Sequence, residues 1–235
     1  LDTARSSLNQ SEVSEEAAAA LTSISKALLG QGFRGEAGKI TVAVITGGHE
    51  FELVPFLRLF AAQPDITFLH LPQSDDSEIF EDISRWPFDV VILYNLTQKM
   101  STVRRENFLR LLDQGVGILA LHHAMGSFQD WPEYQKIIGA RYHLAAGETD
   151  GKTFDASTYL HGVKIAVHVA DASHPVSLGL KDFTVTDETY KGSTFEPDIK
   201  ILLTTAEPTS DKPLSWVRNY RHANVCGLQL GPGAQ

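Results

Sequence analysis

The sequence contains very little cysteine: Cys226 is the single thiol among 235 residues. One cysteine cannot form an internal disulfide, and it is compatible with an oxidising or a reducing compartment. Cys226 lies in the segment NVCGLQL, which has the composition of a strand, so we predict a buried thiol that packs in the core. Cysteine chemistry therefore gives no indication of function.

Positive charge is also scarce. The chain has 20 Lys and Arg against 29 Asp and Glu, which gives a formal net charge of −9. Because binding to a nucleic-acid backbone needs clustered basic side chains, this composition argues against nucleic acid as the main partner. No apolar run approaches the roughly 18 residues that a membrane-spanning helix needs, so no membrane span is predicted.

Nucleotide-binding fingerprints are missing as well. The segment TGGHEF at 46–51 is too short for a P-loop or a dinucleotide-binding motif, so we expect no nucleotide cofactor. The sequence does not decide the cellular compartment of the protein. The start at Leu1 fits a removed export signal and a periplasmic or secreted protein, and without such a signal the cytoplasm is expected. The natural chain could continue past Gln235.

An alternation of strands and helices is what the sequence does contain, from Lys39 onward. A first helix and a Gly-rich linker at 30–38 precede it, so we predict an N-terminal appendage at 1–38 and a main α/β domain at 39–235. Continuous apolar strands that alternate with helices indicate a parallel sheet covered on both faces. The predicted helices are 9–30, 51–63, 77–84, 101–115 and 131–139, and the first predicted strands are 40–48, 65–71, 89–96 and 116–122.

The second half of the sequence has a different pattern. Residues 140–180 are rich in Gly, Thr, Ser, His and Asp, and we interpret them as a hairpin or loop excursion with one strand at 164–170. Further strands are predicted at 183–192, 199–206, 213–220 and 223–230, the last two as an antiparallel hairpin. An antiparallel extension of the parallel sheet is therefore expected.

Polar and titratable residues are concentrated at the ends of the predicted strands. In open parallel sheets, ligands bind beyond the carboxyl ends of the strands, so we expect these side chains to converge. They are His49, Glu50, Tyr94, Asn95, His122, His123, Asp187, Glu188 and Tyr190. We assign catalysis to His122, His123 and Glu188 and substrate binding to the others, together with Trp131, whose ring could stack on a sugar or pack in the core.

The segment GILALHHAMGSF at 117–128 decides between chemistries. A strand that ends in a sharp turn is where many α/β enzymes place Ser or Cys, and here His122 stands at that turn, which argues against acyl transfer by a nucleophile. Two chemistries stay open. One is a divalent metal such as zinc on His49, His122 and Glu188, for which no tight HxH or HxxxH spacing exists. The other is metal-free acid–base catalysis by His and Glu.

Several ordered blocks resemble one known family. They are GILALHHAMGSFQDWPEYQKIIGARYH, SHPVSLGLKDFTVTDETY, LLTTAEP and PLSWVRNY, and together they resemble the trehalose-utilisation ThuA-like family from about Ile40 to Gly233. The resemblance implies a flavodoxin-like, three-layer α/β fold of the class-I glutamine-amidotransferase-like type. Relatives of that type carry a nucleophilic Cys at this turn, and the ThuA-like branch carries His.

The resemblance also implies a site and a function. The implied site contains His49, His122, His123, Glu188 and Tyr190, whereas the family's common GH after the last strand is replaced by LGPGAQ here. The implied function is sugar catabolism, by acid–base or metal-assisted chemistry on a 3-keto glycoside or related carbohydrate. A non-catalytic carbohydrate-binding or scaffold module and a decayed amidotransferase-like subunit are the alternatives, and a homo-oligomer is compatible with all of them.

Overall fold

The computed structural model describes residues 14–149 and 151–231. The chain divides into two compact units, residues 1–117 and 118–235. Residues 9–13 of the predicted first helix lie outside the described residues, and the domain boundary predicted after residue 38 stays a prediction. Within the described residues, no helix is long and apolar enough to cross a membrane.

The first unit contains a parallel three-stranded ladder with helices. Strand β1 pairs in parallel with β2 on one side and β3 on the other. Strand interiors such as Val44, Leu69 and Val91 are fully buried, as continuous apolar strands require. The elements are α1 (Ser14–Gly30), β1 (Ile40–Gly47), α2 (Leu53–Ala61), β2 (Ile66–Pro72), a 3-10 turn (Glu78–Phe80), β3 (Val90–Asn95) and α3 (Thr102–Asp113).

Helix α1 packs against strand β2. Ala18 and Leu21 are buried on its inner face. The Thr22 hydroxyl lies 2.6 Å from Nδ1 of His70, and the backbone N–H of His70 donates to the Ser25 hydroxyl at 3.1 Å. The helix is therefore attached to the sheet by hydrogen bonds as well as by apolar contact.

The helix predicted at 77–84 is wrong, since only the 3-10 turn Glu78–Phe80 forms. The Asn107 side-chain amide donates to the carbonyl oxygens of Phe80 and Glu81 at 2.9 and 3.0 Å. These carbonyls would accept the next hydrogen bonds of a continuing helix. The turn therefore ends where a side chain of α3 occupies its acceptors.

The second unit contains a mixed ladder in the order β4-β13-β12-β11-β8-β9. Strands β13 and β4 are parallel and the remaining neighbours are antiparallel. The predicted α/β class, with parallel strands and an antiparallel extension, is confirmed. The elements are β4 (Gly117–Leu121), a 3-10 turn (His122–Gly126), α4 (Pro132–Ile138), β5 (Ala140–Arg141), β6 (Gly147–Thr149), β7 (Lys152–Phe154), β8 (Thr158–Val169), β9 (Phe183–Lys191), β10 (Thr194–Phe195), β11 (Lys200–Thr204), β12 (Pro213–Tyr220) and β13 (Ala223–Leu228).

The excursion at 140–180 contains more strand than predicted. Strand β8 covers Thr158–Val169, whereas the sequence indicates a strand only from 164 to 170. Its first six residues are almost all exposed, so they lack the alternation of buried and exposed side chains that marks a strand. The register against β9 also changes between Leu160 and Val163, at a β-bulge. The predicted β12–β13 hairpin is confirmed, with Arg221 in the left-handed region at φ 52°.

Candidate active site

A sharp turn at the end of β4 positions His122. Its φ of 46° lies in the left-handed region, which is unfavourable for a residue with a side chain and is found mainly at turns and functional sites. The imidazole is buried, with 3% of the residue exposed. Gly231 lies against this ring, since a Cβ there would be 2.6 Å from Cγ of His122. The turn therefore directs the His122 ring into the interior of the second unit.

The two ring nitrogens of His122 both lie beside oxygen atoms. Nδ1 is 2.5 Å from the carbonyl oxygen of Gln229, and Nε2 is 2.8 Å from Oε2 of Glu188. A carbonyl can only accept, so Nδ1 carries a proton and donates it. Nε2 and a carboxylate oxygen would then face each other with lone pairs unless one further proton lies between them. The geometry therefore suits a further proton between His122 and Glu188.

Tyr190 joins this pair to the second histidine of the turn. Its hydroxyl lies 3.0 Å from Nε2 of His122, 3.2 Å from Oε2 of Glu188 and 3.2 Å from Nδ1 of His123. Its ring also stacks on the His122 ring, with centroids 4.8 Å apart. Because Tyr190 and Glu188 are alternate residues of β9, they present their side chains on the same face of the strand.

Asp187 has a supporting position and is 1% exposed. Its Oδ1 accepts from the backbone N–H of Glu188 at 2.7 Å, and its Oδ2 accepts from that of Gly231 at 2.9 Å. Burial raises the pKa of Asp187, and the two backbone donors oppose that shift. The Asp187 carboxylate therefore holds the segment at 229–231, whose Gln229 carbonyl accepts from His122. The position of Asp187 in the sequence indicated substrate binding instead.

Three side chains of this unit could hold a metal ion. His122, His123 and Glu188 each offer one ligand atom, and these atoms lie within 4.8 Å of one another. Two imidazoles and one carboxylate form a donor set that suits a catalytic zinc ion with an open position. A carbonyl partner on the other ring nitrogen, as His122 has, is typical of metal-binding histidines. The donor set thus fits a divalent metal, with His123 where the sequence named His49.

His49, Tyr94 and Asn95 lie in the first unit, at the carboxyl ends of β1 and β3. Nδ1 and Nε2 of His49 are each 3.1 Å from a backbone carbonyl oxygen, those of Glu50 and Tyr94. The His49 ring also meets the Tyr94 ring edge-on at 4.7 Å. The amide of Asn95 donates to the Thr97 hydroxyl at 2.9 Å, and Glu50 is exposed. Of the predicted residues of this unit, Glu50 and Tyr94 therefore contact the His49 ring, and Asn95 contacts Thr97.

Trp131 is buried among aromatic residues. It is 7% exposed and stacks on Tyr134, with Phe128 edge-on to it. Burial raises the pKa of Tyr134, whose hydroxyl donates to the Ala124 carbonyl at 3.0 Å. This arrangement favours the core-packing interpretation of Trp131 over sugar stacking.

His161 is a residue of this site that the sequence assignments do not include. Its Nδ1 lies 3.5 Å from Oε1 of Glu188, whereas His122 contacts the other carboxylate oxygen, Oε2. The contact depends on the pairing of β8 with β9, which sequence spacing does not reveal. The one available signal is Gly162, since an isolated glycine within a strand indicates a bulge.

Comparison with known proteins defines the family. A profile of the ThuA family, described as trehalose utilisation, matches residues 41–234. This chain belongs to the ThuA family. The resemblance inferred from the sequence blocks is thereby confirmed, and the protein is related to proteins of sugar utilisation. None of the curated proteins matches the chain.

Solved structures show the fold of this ThuA protein. A ThuA-like protein from Parabacteroides merdae is 20% identical, with a TM-score of 0.62 over 82% of this chain and 80% of that one. A ThuA-like protein from Bacteroides uniformis is 18% identical, with a TM-score of 0.58 over 84% of each chain. A β-galactosidase from Bacillus circulans is 12% identical, with a TM-score of 0.52 over 81% of this chain but only 28% of its own.

Proposed function

We propose that this ThuA protein is an enzyme of sugar catabolism that acts on a 3-keto glycoside, with His122 and Glu188 as its acid–base pair. The observation that carries the proposal is the 2.8 Å contact between Nε2 of His122 and Oε2 of Glu188. Both groups are buried, at 3% and 6% exposure, where a shared proton is poorly solvated and ready for transfer. Membership of a trehalose-utilisation family supports a carbohydrate as the substrate.

The proposed reaction begins at C2 of the sugar. This hydrogen is acidic because it lies next to the C3 carbonyl, and Glu188 removes it as a proton while the C–H electrons form an enolate. The protonated His122 ring donates a hydrogen bond to the developing oxyanion. The enolate then re-forms the C3 carbonyl, a C1–C2 double bond forms, and the C1–O bond breaks. The departing oxygen takes the proton that Glu188 removed from C2, so the products are an unsaturated keto sugar and the free alcohol, and Glu188 returns to its starting state.

Tyr190 supports this assignment of roles. Its hydroxyl lies within hydrogen-bonding distance of Glu188, His122 and His123. A hydroxyl both donates and accepts, so it can stabilise the pair before and after the proton moves. The buried position of Tyr190, at 4% exposure, keeps this contact away from bulk water.

A divalent metal such as zinc fits the same residues. It would be held by His122, His123 and Glu188, and when bound it would polarise the keto oxygen of the sugar. The hydroxyl of Tyr190 lies 3.2 Å from Nδ1 of His123, which helps to set the orientation of that ring. Both versions of the chemistry therefore use the same turn and the same strand.

The test is turnover of 3-keto-trehalose and a methyl 3-keto-glucoside in D2O, with chelator and with added zinc. We expect product formation, with deuterium at C2 of the recovered substrate, because the enolate can be reprotonated by solvent whereas the unsaturated product has no hydrogen at C2. His122→Ala should lower the rate by about 10²- to 10⁴-fold, as loss of a general acid–base group does. The control is His168→Ala, because His168 is an exposed histidine of β8 that pairs with Asp182. It should stay within about 2-fold of the parent protein.

Other outcomes separate the alternatives. Binding of both sugars without turnover or C2 exchange, under every metal condition, would favour a carbohydrate-binding module and contradict the enzyme. Turnover that survives His122→Ala unchanged would remove the pair from the mechanism.

A further inference from the structure

A β-bulge on β8 lies directly opposite Glu188. Leu160 pairs with Thr189 and Val163 pairs with Asp187, so two residues, His161 and Gly162, face the single residue Glu188 on β9. Gly162 has a φ of 66°, in the left-handed region that glycine adopts readily. Bulges are frequent beside active sites, where they redirect a side chain. Here the bulge brings the His161 ring to 3.5 Å from Oε1 of Glu188.

The side chains at this bulge are exposed, whereas the carboxylate beside them is not. The side chain of His161 is 57% exposed and that of Glu188 is 7% exposed. Tyr159, two residues earlier on β8, is 54% exposed, and its ring meets the His161 ring at 5.2 Å, nearly perpendicular. An exposed imidazole therefore lies against the buried carboxylate, with an exposed phenol ring beside that imidazole.

We propose that His161 and Tyr159, the bulge pair, bind the pyranose ring of the sugar that reaches Glu188. This inference rests on the proposed function and extends it by naming the residues that hold the substrate. A sugar at Oε1 must come close to His161, whose ring nitrogens can hydrogen-bond to hydroxyl groups. The exposed aromatic ring of Tyr159 can cover the apolar C–H face of the pyranose.

Another histidine of the same strand provides the contrast. His168 also pairs with a carboxylate, since its Nδ1 is 3.0 Å from Oδ2 of Asp182. There both side chains are exposed, at 55% and 61%, so the pair is an ordinary solvated contact. Of these two histidines of β8, His161 is the one whose exposed ring meets a buried carboxylate.

Steady-state kinetics with the methyl 3-keto-glucoside test the bulge pair. For His161→Ala we expect KM to rise by about 3- to 10-fold, as loss of a hydrogen bond does, with kcat within about 2-fold. His161→Gln, which keeps a side-chain donor, should recover part of the loss. Tyr159→Ala should raise KM, and Tyr159→Phe, which keeps the ring face, should raise it less. His168→Ala is the matched control and should change neither constant.

A binding measurement separates this inference from the proposed function. Protein labelled with ¹⁵N-histidine is titrated with the same sugar while the ring signals of His161 and His168 are followed by NMR. A shift of His161 alone without turnover would support the bulge pair and contradict the enzyme. Turnover with unchanged KM in His161→Ala and no His161 shift would overturn the bulge pair and leave the enzyme standing. Neither binding nor turnover would contradict both.

Discussion

Two buried histidines, His70 in the first unit and His122 in the second, are equally hidden and yet have opposite surroundings. They are 2% and 3% exposed, and each has a partner at both ring nitrogens. Burial and hydrogen bonding alone therefore do not separate a structural histidine from a reactive one. The difference lies in the partners: hydroxyl groups, which both donate and accept, surround one ring, whereas a carbonyl and a carboxylate, which accept, face the other.

When the His70 ring is neutral, each of its two nitrogens is paired with a hydroxyl group in the complementary donor or acceptor role. The Thr22 hydroxyl donates to the Ala18 carbonyl at 3.1 Å, so it accepts from Nδ1–H of His70. Nε2 then accepts from the Thr46 hydroxyl at 2.9 Å. Burial, with a smaller contribution from the charge of Lys26, lowers the pKa of His70 to about 4. Every polar atom of the ring is satisfied without an added proton, which suits a purely structural role.

The contacts of His122 do not balance in this way. Nδ1 faces a carbonyl oxygen and Nε2 faces a carboxylate oxygen, both of which are acceptors, and the Tyr190 hydroxyl also lies 3.0 Å from Nε2. The Tyr190 hydroxyl has one proton and cannot supply both His122 and Glu188 at once. The comparison teaches that a buried histidine whose two ring nitrogens face a carbonyl and a carboxylate is a better candidate for proton transfer than one held by two hydroxyl groups.

The largest expected effect comes from Glu188→Gln. The amide can donate to Nε2 of His122 and balances the contacts, but it cannot accept a proton from the sugar. We predict a fall in kcat of about 10²- to 10⁴-fold with little change in the unfolding midpoint, checked by sugar turnover and thermal unfolding. A variant that keeps more than a third of the activity would contradict the role of Glu188 as the base.

His70→Ala should show the reverse pattern. It removes two buried hydrogen bonds and leaves the Thr22 and Thr46 hydroxyls without their ring partner, so we expect the free energy of unfolding to fall by about 3 kcal/mol. Turnover per folded molecule should be unchanged. Urea unfolding and active-site-normalised rates check this. Reduced kcat with normal stability would contradict the structural role of His70.

The pH dependence of stability sharpens the same contrast. Because the folded-state pKa of His70 lies below its ordinary value of 6.5, its contribution is fully present above pH 6.5 and is lost as pH falls towards about 4. The loss attributable to this group is about 3 kcal/mol. Urea unfolding between pH 7 and pH 4 measures it. His70→Gln should show a shallower slope in this window, and an identical slope would be incompatible with a neutral, buried His70.

The smallest expected effect belongs to Asp187→Asn. One backbone donor, that of Glu188 or Gly231, loses its charged acceptor, so the segment at 229–231 is held less firmly beside His122. We predict a kcat about 3- to 10-fold lower with KM unchanged, measured by steady-state turnover. A change in KM alone would instead support the substrate-binding role that the sequence suggested.

Most of the fold was predictable because apolar runs and turn residues determine it locally. The β12–β13 hairpin and the turn after β4 follow from such patterns. The long strand β8 was not predictable in full, since its exposed first half and Gly162 resemble a loop. The 3-10 turn at Glu78–Phe80 depends on Asn107, a partner distant in sequence.

The candidate site was predictable in part for the same reason. His122, His123, Glu188 and Tyr190 stand at strand ends or on a recognisable block, and the structure brings these four together. The position of His161 depends on strand register and on a bulge, which one sequence does not specify.

The most direct test of the central claim is the protonation of the His122 ring, observed by ¹⁵N NMR of histidine-labelled protein near pH 7. We predict a proton on Nδ1, hydrogen-bonded to the Gln229 carbonyl, and a second proton shared between Nε2 and Glu188, which Glu188→Gln removes. A neutral ring that carries its proton on Nε2, with Nδ1 bare, would contradict the account. A ring unaffected by Glu188→Gln would contradict it as well.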